Sequence, residues 1–401
     1  MKKFLSILLC LITLTVFAAC SSDYNEVALE PEESAIADFS VNLFKKTFAE
    51  DENKNLLISP LSVMLALAMT ANGADNNTLL QMEKVLGGSL TINELNEYLY
   101  NYAKNLPSGE KSELDIANSI WFREDKFIVS PDFLQLNADY YGADAYEAAF
   151  DEQTVEDINN WVRDNTKGLI DKLLDEISED SLMYLINTVL FDAEWQTVYG
   201  ENQIRNKTFT AFDKKEQSVP FMHSSEYQYL TAKNAVGVIK PYFGNRYSFA
   251  ALLPDKSVPI NKFIASLSGV GFISAIRNAE TIEVKTSIPK FTYDYEITLN
   301  ETLKKMGMPD AFDELGADFI KMGTAIGYDN VYIGKVLHKT YISVDELGTK
   351  AGAVTSVEMD GATSAGGRPK YKVVDLDRPF VYAIIDNETG FPIFMGAVLE
   401  I

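Results

Sequence analysis

The chain has few of the residues that build metal sites and nucleophilic active sites. Its 401 residues include 2 Cys and 2 His. Zinc sites with several Cys or His ligands, and catalytic pairs of Cys with His, are therefore nearly excluded. Basic residues are also scarce, because 35 Lys and Arg stand against 58 Asp and Glu and leave a net charge of −23. A nucleic-acid-binding protein needs a basic surface to neutralise phosphates, so this charge argues against that class.

The N-terminus has the pattern of a secretory signal. Lys2 and Lys3 precede an apolar run over residues 4–17, which is too short to span a bilayer comfortably, and two alanines and Cys20 follow. The cysteine at this place resembles a bacterial lipobox, in which the thiol is lipidated. We therefore expect a signal peptide over residues 1–19 and lipidation at Cys20. Plain secretion with an incidental cysteine is the alternative interpretation.

The residues after the expected cleavage site have the character of a tether. Residues 20–34 are polar and acidic, and Ser22-Asp23 resembles the surface-export signals of Bacteroides-type lipoproteins. The expected location is the outer membrane or surface of a Gram-negative bacterium, with a lipid anchor in the membrane. Cleavage would remove Cys10 and two lysines, changing the net charge from −23 to −25. One remaining cysteine allows no internal disulfide, so core packing must hold the domain.

Hydrophobic periodicity predicts helices early in the chain and strands later. Ser34 is the expected N-cap of a helix through residue 48, and two more helices are expected over residues 57–72 and 158–174. The expected strands come next in the chain and occupy residues 182–195, several runs within 208–253, 282–295, 380–385 and 393–399. This order favours an α+β class in one large domain.

One segment does not fit that organisation. The 29 residues between Tyr341 and Tyr371 contain no aromatic residue and are rich in Gly, Ala, Ser and Thr. An interdomain linker would have this composition, but residues 371–401 are too few to form a second domain. They must return to the main sheets. The segment is therefore expected to be a long exposed loop with both ends in one domain, and such loops are usually functional.

The first half of this loop also has the periodicity of a strand. Small to apolar residues share one face, and they are Thr349, Ala351, Ala353, Thr355, Val357 and Met359. The other face is mostly polar or charged and holds Lys350, Gly352, Val354, Ser356, Glu358 and Asp360. This alternation is typical of a half-buried strand. A loop with the alternation of a strand suggests a segment that can take two positions in the protein, one as an exposed loop and one as a strand of a sheet.

At this segment the chain resembles the serpin family of serine protease inhibitors, and the resemblance extends over residues 35–401. The hinge over residues 346–355, ELGTKAGAVT, is similar to the family pattern E-x-G-T-x-A-A-A. Further matching motifs follow in family order and are NLLISPLS at 55–62, GA at 73–74, VLG at 85–87, LINTVLF at 185–191, LHK at 337–339, RPF at 378–380 and FMG at 394–396. The resemblance implies one serpin-type domain with a large central sheet, further sheets, surrounding helices and a reactive-centre loop over about 346–370.

The resemblance also implies a mechanism. Inhibitory serpins are suicide substrates, because the protease is acylated by the loop, which then inserts into the large sheet and carries the enzyme to the far pole. The matching hinge residues are Glu346, Gly348, Thr349, Ala351, Gly352 and Ala353. Small inward residues permit insertion, which favours an active inhibitor. Serine proteases are the expected targets, and cysteine proteases are a second target class.

The length of the family loop places the cleaved bond after Ala362. Glu346 is then the seventeenth residue before the cut, and Ala362-Thr363 is the attacked bond. A small residue before the cut suits elastase-like proteases, and Thr363 is a shifted alternative. Arg368 is a less suitable site, because Pro369 follows it and because it would make the inserted strand six residues longer.

Five residues match family positions around the opening sheet. The resemblance implies a hydrogen-bonded gate formed by Ser59, Ser62, Asn187 and His338, and it places Trp195 at the top, or breach, of the sheet. His338 is therefore expected to be structural and not catalytic.

Three other functions were weighed against inhibition. An enzyme of the Ser-His-Asp type would need His223 or His338, and no nucleophile-elbow sequence lies near His223. A surface lipoprotein that binds glycans or nutrients would not explain the hinge alternation. A non-inhibitory serpin is the alternative within the family. No cofactor and no metal are expected. Heparin is not an expected partner either, because residues 90–112 carry only Lys104 and Lys111 as basic groups. The protein is expected to be an extracellular monomer.

Overall fold

The structure, a computed structural model, describes residues 26–349 and 371–401. Within these ranges nine α-helices and seventeen β-strands form an α+β fold. The helices are α1 (Pro31–Phe48), α2 (Pro60–Ala71), α3 (Asn76–Leu86), α4 (Ile92–Lys104), α5 (Pro131–Tyr141), α6 (Glu152–Asn165), α7 (Ile260–Ser266), α8 (Gly269–Arg277) and α9 (Asn300–Met306). No helix in the described ranges is both long enough and apolar enough to cross a membrane.

The strands are, in chain order, β1 (Leu56–Ile58), β2 (Ser112–Arg123), β3 (Phe127–Val129), β4 (Asp144–Ala148), β5 (Met183–Glu194), β6 (Ile204–Thr210), β7 (Glu216–Ala232), β8 (Ala235–Pro241), β9 (Tyr247–Pro254), β10 (Glu280–Pro289), β11 (Phe291–Thr298), β12 (Gly323–Ala325), β13 (Leu337–Val344), β14 (Gly348–Thr349), β15 (Lys372–Asp375), β16 (Phe380–Asp386) and β17 (Pro392–Val398).

Three sheets are built from these strands. The largest has the order β1-β17-β16-β9-β8-β7-β10-β15, with β6 paired to β7 beside this path. The second has the order β11-β13-β14-β5-β2-β4, and β12 pairs with β3 in a small third sheet. Only β2 with β4 and β10 with β15 pair in parallel among the described strands. The order β13-β14-β5 positions the candidate site, because the described residues of β14, Gly348 and Thr349, enter the sheet between β5 and β13.

Helix α2 lies in the interior beside the second sheet. Ser59 begins it by accepting a hydrogen bond from the Ser62 N–H, and every residue of the helix except Ala66 is buried. A helix that is apolar on all sides must be surrounded by other elements, and α2 contacts both β5 and β17. The helix expected over 57–72 is therefore confirmed in its main part. Residues 57–58 are instead in β1, where Leu57 pairs with Gly396 of β17.

Aromatic side chains join the two large sheets. Phe249 and Tyr382 stack with ring centroids 5.4 Å apart, and Tyr382 also lies 5.4 Å from Phe291 of the second sheet. Trp195 meets Phe249 edge-on at 6.0 Å. These rings bury a large apolar area and prefer such stacked and edge-to-face arrangements. The site around Trp195 therefore rests on a rigid shared core.

The boundaries of α1 and α6 also differ from the prediction. Helix α1 begins at Pro31 and not after Ser34, so residues 31–34, which we assigned to the acidic tether, form its first turn. Proline suits the first helical position, and the Glu30 N–H donates to the Glu33 carboxylate. Helix α6 extends from Glu152 to Asn165, so the helix expected over 158–174 is shifted, with an observed start six residues earlier and an observed end nine residues earlier. Lys167 and Gly168 have φ of 50° and 78°, and a right-handed α-helix cannot continue through residues with positive φ.

The strand predictions agree well with the structure. The expected strand over 182–195 is β5, the region 282–295 divides at Pro289 into β10 and β11, and the C-terminal pair is the hairpin of β16 and β17. The expected order of helices before strands is wrong, however, because β1 to β5 alternate with α1 to α6. Sheet pairing between distant segments determines that order, and local periodicity does not report it.

Candidate functional site

A tight turn after β13 directs the chain back into the second sheet, where it continues as β14. The Asp345 carboxylate accepts hydrogen bonds from the backbone N–H groups of Leu347 at 2.8 Å and Gly348 at 3.2 Å. The Asp345 N–H in turn donates to the Gly348 carbonyl at 3.0 Å. Aspartate favours turns because its short side chain bonds to nearby backbone N–H groups in this way. The hinge therefore begins at a turn that Asp345 builds.

The two residues of β14 enter the sheet between β5 and β13. Gly348 pairs with Glu194 and Thr349 with Ala193, while Thr349 also pairs with Val344. A Cβ atom on Gly348 would collide with the Ala193 carbonyl oxygen, so this close approach requires glycine. The hinge prediction at Gly348 thus has a steric reason that the structure supplies.

The segment after β5 receives the hinge through its backbone. The Trp195 N–H donates to the Leu347 carbonyl at 2.8 Å, and the Trp195 indole N–H donates to the Asp345 carbonyl at 2.7 Å. The Tyr199 N–H donates to the Glu346 carbonyl at 3.0 Å. Three successive carbonyls, those of Asp345, Glu346 and Leu347, therefore bind one short segment, and the predicted breach residue Trp195 supplies two of the donors.

Side chains hold the hinge at two further points. Lys290 forms an ion pair with the Glu346 carboxylate. Burial raises the pKa of that carboxyl, but the hydrogen bond and charge of Lys290 outweigh this effect and lower the pKa below its usual value. The Thr349 hydroxyl shares a hydrogen bond with the hydroxyl of Tyr242, and Tyr242 stacks on Trp195 at 4.6 Å and 7°. Burial raises the pKa of Tyr242, which stays neutral and able to donate.

Below Thr349 the described part of the second sheet has a gap. In the part of the chain that the structure describes, no strand lies between β13 and β5 there, although β5 extends ten residues beyond Ala193, to Met183, and β13 extends to Leu337. A cavity of about 820 Å³ occupies this place. Its walls are β5 and β13, its floor includes α2, and residues 166–182 and 327–336 line its remaining sides.

The predicted gate residues all line this cavity. The Nε2 atom of His338 accepts a hydrogen bond from the Ser59 N–H at 3.0 Å, and the Ser59 hydroxyl donates to the Ile393 carbonyl at 2.9 Å. These bonds tie β13 to the start of α2 and to β17. Ser62 joins them through its N–H, which donates to the Ser59 hydroxyl at 3.2 Å.

Asn187 lies on the opposite wall and is bonded elsewhere. Its side-chain N–H donates to the Asn118 side-chain oxygen at 2.8 Å, while its own side-chain oxygen is buried without a hydrogen-bond partner among the described residues. The hydroxyl of Thr188 beside it is also buried without a partner there. Buried polar atoms without partners are costly. This wall of the cavity therefore has unsatisfied hydrogen-bonding groups.

Several predicted residues lie outside the described part of the chain. They are Ala351, Gly352 and Ala353 of the hinge, the bond between Ala362 and Thr363, and Cys20. The structure also reveals four contributors that the motifs did not indicate, which are Asp345, Tyr242, Lys290 and Tyr199. Of these, only Asp345 had a signal in the sequence, as an aspartate three residues before Gly348, which is a spacing typical of a turn. Within the described ranges, no group of three or more His, Cys, Asp and Glu is arranged to hold a metal ion.

Comparisons with known proteins agree with this geometry. A family model described as Serpin (serine protease inhibitor) matches residues 34–401. Human neuroserpin is 30% identical over 389 residues, which cover 92% of this chain and 92% of neuroserpin. An uncharacterized serpin-like protein of Thermococcus kodakarensis is 31% identical, with 92% of this chain and 86% of that protein covered.

Solved structures show the same likeness. The thermophilic serpin tengpin in its native state matches with a TM-score of 0.87 and 54% identity, covering 94% of this chain and 96% of tengpin. Tengpin in its latent state matches with a TM-score of 0.83 and 53% identity, covering 94% and 99% of the two chains. The fold is the serpin fold, and this chain belongs to the serpin family. That membership supports protease inhibition in general, because serpins are generally inhibitors of proteases and not enzymes.

We expect His338 to make the stability of the fold sensitive to mild acid. Burial lowers its pKa to about 4, whereas an unfolded chain has a His pKa of about 6.5. Only the unfolded state takes up this proton between those values, so stability is present above pH 6.5 and is lost as the pH falls toward 4. The loss amounts to about 3 kcal/mol.

Urea unfolding of the wild type and of His338→Gln at pH 7 and pH 5 tests this prediction. The wild type should lose more stability than the variant on acidification, by about 2 kcal/mol. His223→Gln is the matched control, since His223 is the second histidine of the chain and is partly exposed. An equal pH dependence in the wild type and His338→Gln would contradict the prediction.

Proposed function

We propose that this serpin inhibits serine proteases as a suicide substrate. The catalytic serine of the target attacks the carbonyl carbon of Ala362, the bond to the Thr363 nitrogen breaks, and Ala362 remains on the enzyme as an ester. The freed end of the loop then enters the second sheet as a new strand before water hydrolyses the ester. The protease travels with it to the far pole and its active site is deformed.

The open sheet below β14 is the observation that supports this proposal. Gly348 and Thr349 already pair with Glu194 and Ala193 in antiparallel register. In the same register, each further loop residue would lie opposite the preceding residue of β5. Residue 359 would then face Met183, the first residue of β5. The strand-like alternation over residues 349–359 is therefore as long as the part of β5 from Ala193 to Met183.

The side-chain alternation is consistent with this register. The Thr349 side chain is buried and bonds to Tyr242 in the core. Because side chains alternate along a strand, Ala351, Ala353, Thr355, Val357 and Met359 would also face inward, toward the cavity and α2. The small alanines would enter first, close to the closed end of the gap, and the larger side chains would follow.

Unpaired hydrogen-bonding groups would drive the insertion. The facing edges of β5 and β13 would both gain a partner strand, and each new backbone hydrogen bond contributes about 1 kcal/mol. The side-chain oxygens of Asn187 and Thr188, which have no hydrogen-bond partner among the described residues, lie on the same wall. An inserted strand would bring hydrogen-bonding groups close to them. The open sheet is therefore a metastable arrangement that a freed loop can relax.

The target class follows from the proposed bond and the charge. A small residue before the cut suits elastase-like serine proteases, and cysteine proteases with the same preference are a second class. The net charge of −23, or −25 after signal cleavage, would accelerate encounters with basic proteases. We also propose that the protein acts as a monomer, anchored through Cys20 to the outer membrane or cell surface of a Gram-negative bacterium.

Protein mixed with an elastase-type serine protease should form a covalent complex that survives SDS. The N-terminal sequence of the released C-terminal fragment should begin at Thr363 or at a residue directly beside it. Heat-inactivated protease is the control. If the protease stays fully active and the serpin is only cleaved, the chain is a substrate or a non-inhibitory serpin and the proposal is wrong.

Thr349→Arg should convert the inhibitor into a substrate. The buried hinge site has no room for a charged guanidinium, so insertion should slow while cleavage proceeds. The yield of trapped complex should fall at least about tenfold, a change of about 1.4 kcal/mol in the competition between insertion and hydrolysis. Thr324→Arg on the exposed centre of β12 is the matched control and should trap normally. Full trapping by Thr349→Arg would show that the proposed hinge register is incorrect.

Cys20→Ser should release the protein from membranes. The wild type, expressed in a Gram-negative host, should sediment with the outer membrane, because an acylated cysteine inserts its lipid chains into the bilayer. The variant should move to the soluble exported fraction. Cys10→Ser lies in the expected signal and is the control, which should not alter the distribution. Equal sedimentation of wild type and Cys20→Ser would contradict the proposed anchor.

A further inference from the structure

A buried lysine lies directly behind the hinge and has no part in the proposed reaction. Lys240 is in β8, and its side chain is 2% exposed. It forms an ion pair with Glu226 of β7 at 2.9 Å, and the Glu226 side chain is 10% exposed. A buried ion pair is seldom kept for stability alone, because removing two charges from water offsets much of their attraction. Its presence here calls for a role in positioning.

The Lys240 ammonium group makes its other contacts with the segment that receives the hinge. It donates a hydrogen bond to the Thr197 carbonyl at 3.2 Å. It also lies 4.4 Å from the ring centroid of Tyr199 and 5.3 Å from that of Trp195. Such contacts of a cation with aromatic faces are strongest when water is excluded. One ammonium group therefore contacts three residues of the segment 195–199.

The same segment binds the hinge on its other side. Trp195 and Tyr199 donate their backbone N–H groups to the carbonyls of Leu347 and Glu346, and Thr197 lies between these two donors. Gln196 anchors the segment to β8 by donating its N–H to the Pro241 carbonyl at 3.0 Å. A shift of Thr197 would therefore move both hinge donors, because only one residue separates it from each of them.

We propose that Lys240, held by Glu226, is a positioning residue that fixes the segment 195–199 for docking of the hinge and so sets how readily the loop enters the sheet. This role rests on the proposed function. Lysine suits it because an ammonium group has three donors, and Glu226 and Thr197 accept two of them. The carboxylate is fixed in turn by the Ser224 hydroxyl, which donates to it at 2.6 Å. A methionine could fill the same volume but could not hold the Thr197 carbonyl.

Hydrogen exchange at single amides tests the role without any protease. The variant Lys240→Met/Glu226→Met removes both charges together and leaves no unpaired buried ion. Exchange of the Trp195 and Tyr199 amides should rise at least about tenfold, because their acceptors are the hinge carbonyls. Exchange in β16, for example at Ala383, should stay within about twofold of the wild type, which a general loss of stability would not allow.

Two further variants complete the experiment. Arg277→Met/Glu33→Gln removes an ion pair between α8 and α1 and should not change the two hinge-binding amides. Glu226→Asp keeps both charges but shortens the carboxylate arm, so it should raise exchange at the same two amides. This variant serves as the test if the double variant does not fold. Exchange within about twofold of the wild type at Trp195 and Tyr199, in the folded double variant or otherwise in Glu226→Asp, would overturn the role of Lys240.

The inhibition assay separates this proposal from the function on which it rests. If the wild type traps protease, Lys240→Met/Glu226→Met should be acylated at the normal rate but should trap a different fraction of the enzyme. That fraction measures competition between insertion and hydrolysis, and a merely structural defect would lower the amount of active protein without altering the fraction. If the wild type traps nothing, the proposed function fails, while the exchange experiment still decides whether Lys240 positions the hinge.

Discussion

The structure depends on the entry of the chain between β5 and β13 at Gly348 and Thr349. Gly348 and Thr349 close one end of the space between β5 and β13, and among the described residues no other strand lies between β5 and β13 below them. Backbone groups at a strand edge form strong hydrogen bonds with any suitable strand that reaches them. Most proteins cover such edges, whereas here an open space of about 820 Å³ lies beside one. The described part of the fold thus leaves room for a strand in its interior.

Reversible polar contacts hold this space at its closed end and in its middle. At the closed end, the carbonyls of residues 345–347 accept hydrogen bonds from Trp195 and Tyr199. In the middle, His338 accepts a hydrogen bond from the Ser59 N–H. Buried hydrogen bonds of this kind depend steeply on geometry, so they specify one arrangement and can break together. Both cysteines of the chain lie within its first twenty residues, so no disulfide joins the elements around the sheet. Nothing covalent prevents the sheet from opening.

Local sequence patterns predicted much of the fold and the main part of the site. The expected strand over 182–195 is β5, and the expected strands over 380–385 and 393–399 form the hairpin of β16 and β17. Family motifs pointed to His338, Ser59 and Trp195, which the structure brings to the same sheet. The patterns failed where a chain reversal ended an element, as at Lys167 after α6. They also failed to assign Leu57 and Ile58 to a strand, because pairing with β17 and not propensity makes them extended.

The sequence by itself determined the alternation of small and polar residues over 349–359, the glycine at 348 and the scarcity of cysteine. These are properties of single positions and their spacing, so they can be read without coordinates. Only the tertiary structure decided that Tyr242 meets Thr349, that Lys290 meets Glu346 and that Lys240 supports Thr197. Each of these contacts joins segments at least forty residues apart. Such contacts arise from sheet order and shared packing, which no local pattern encodes.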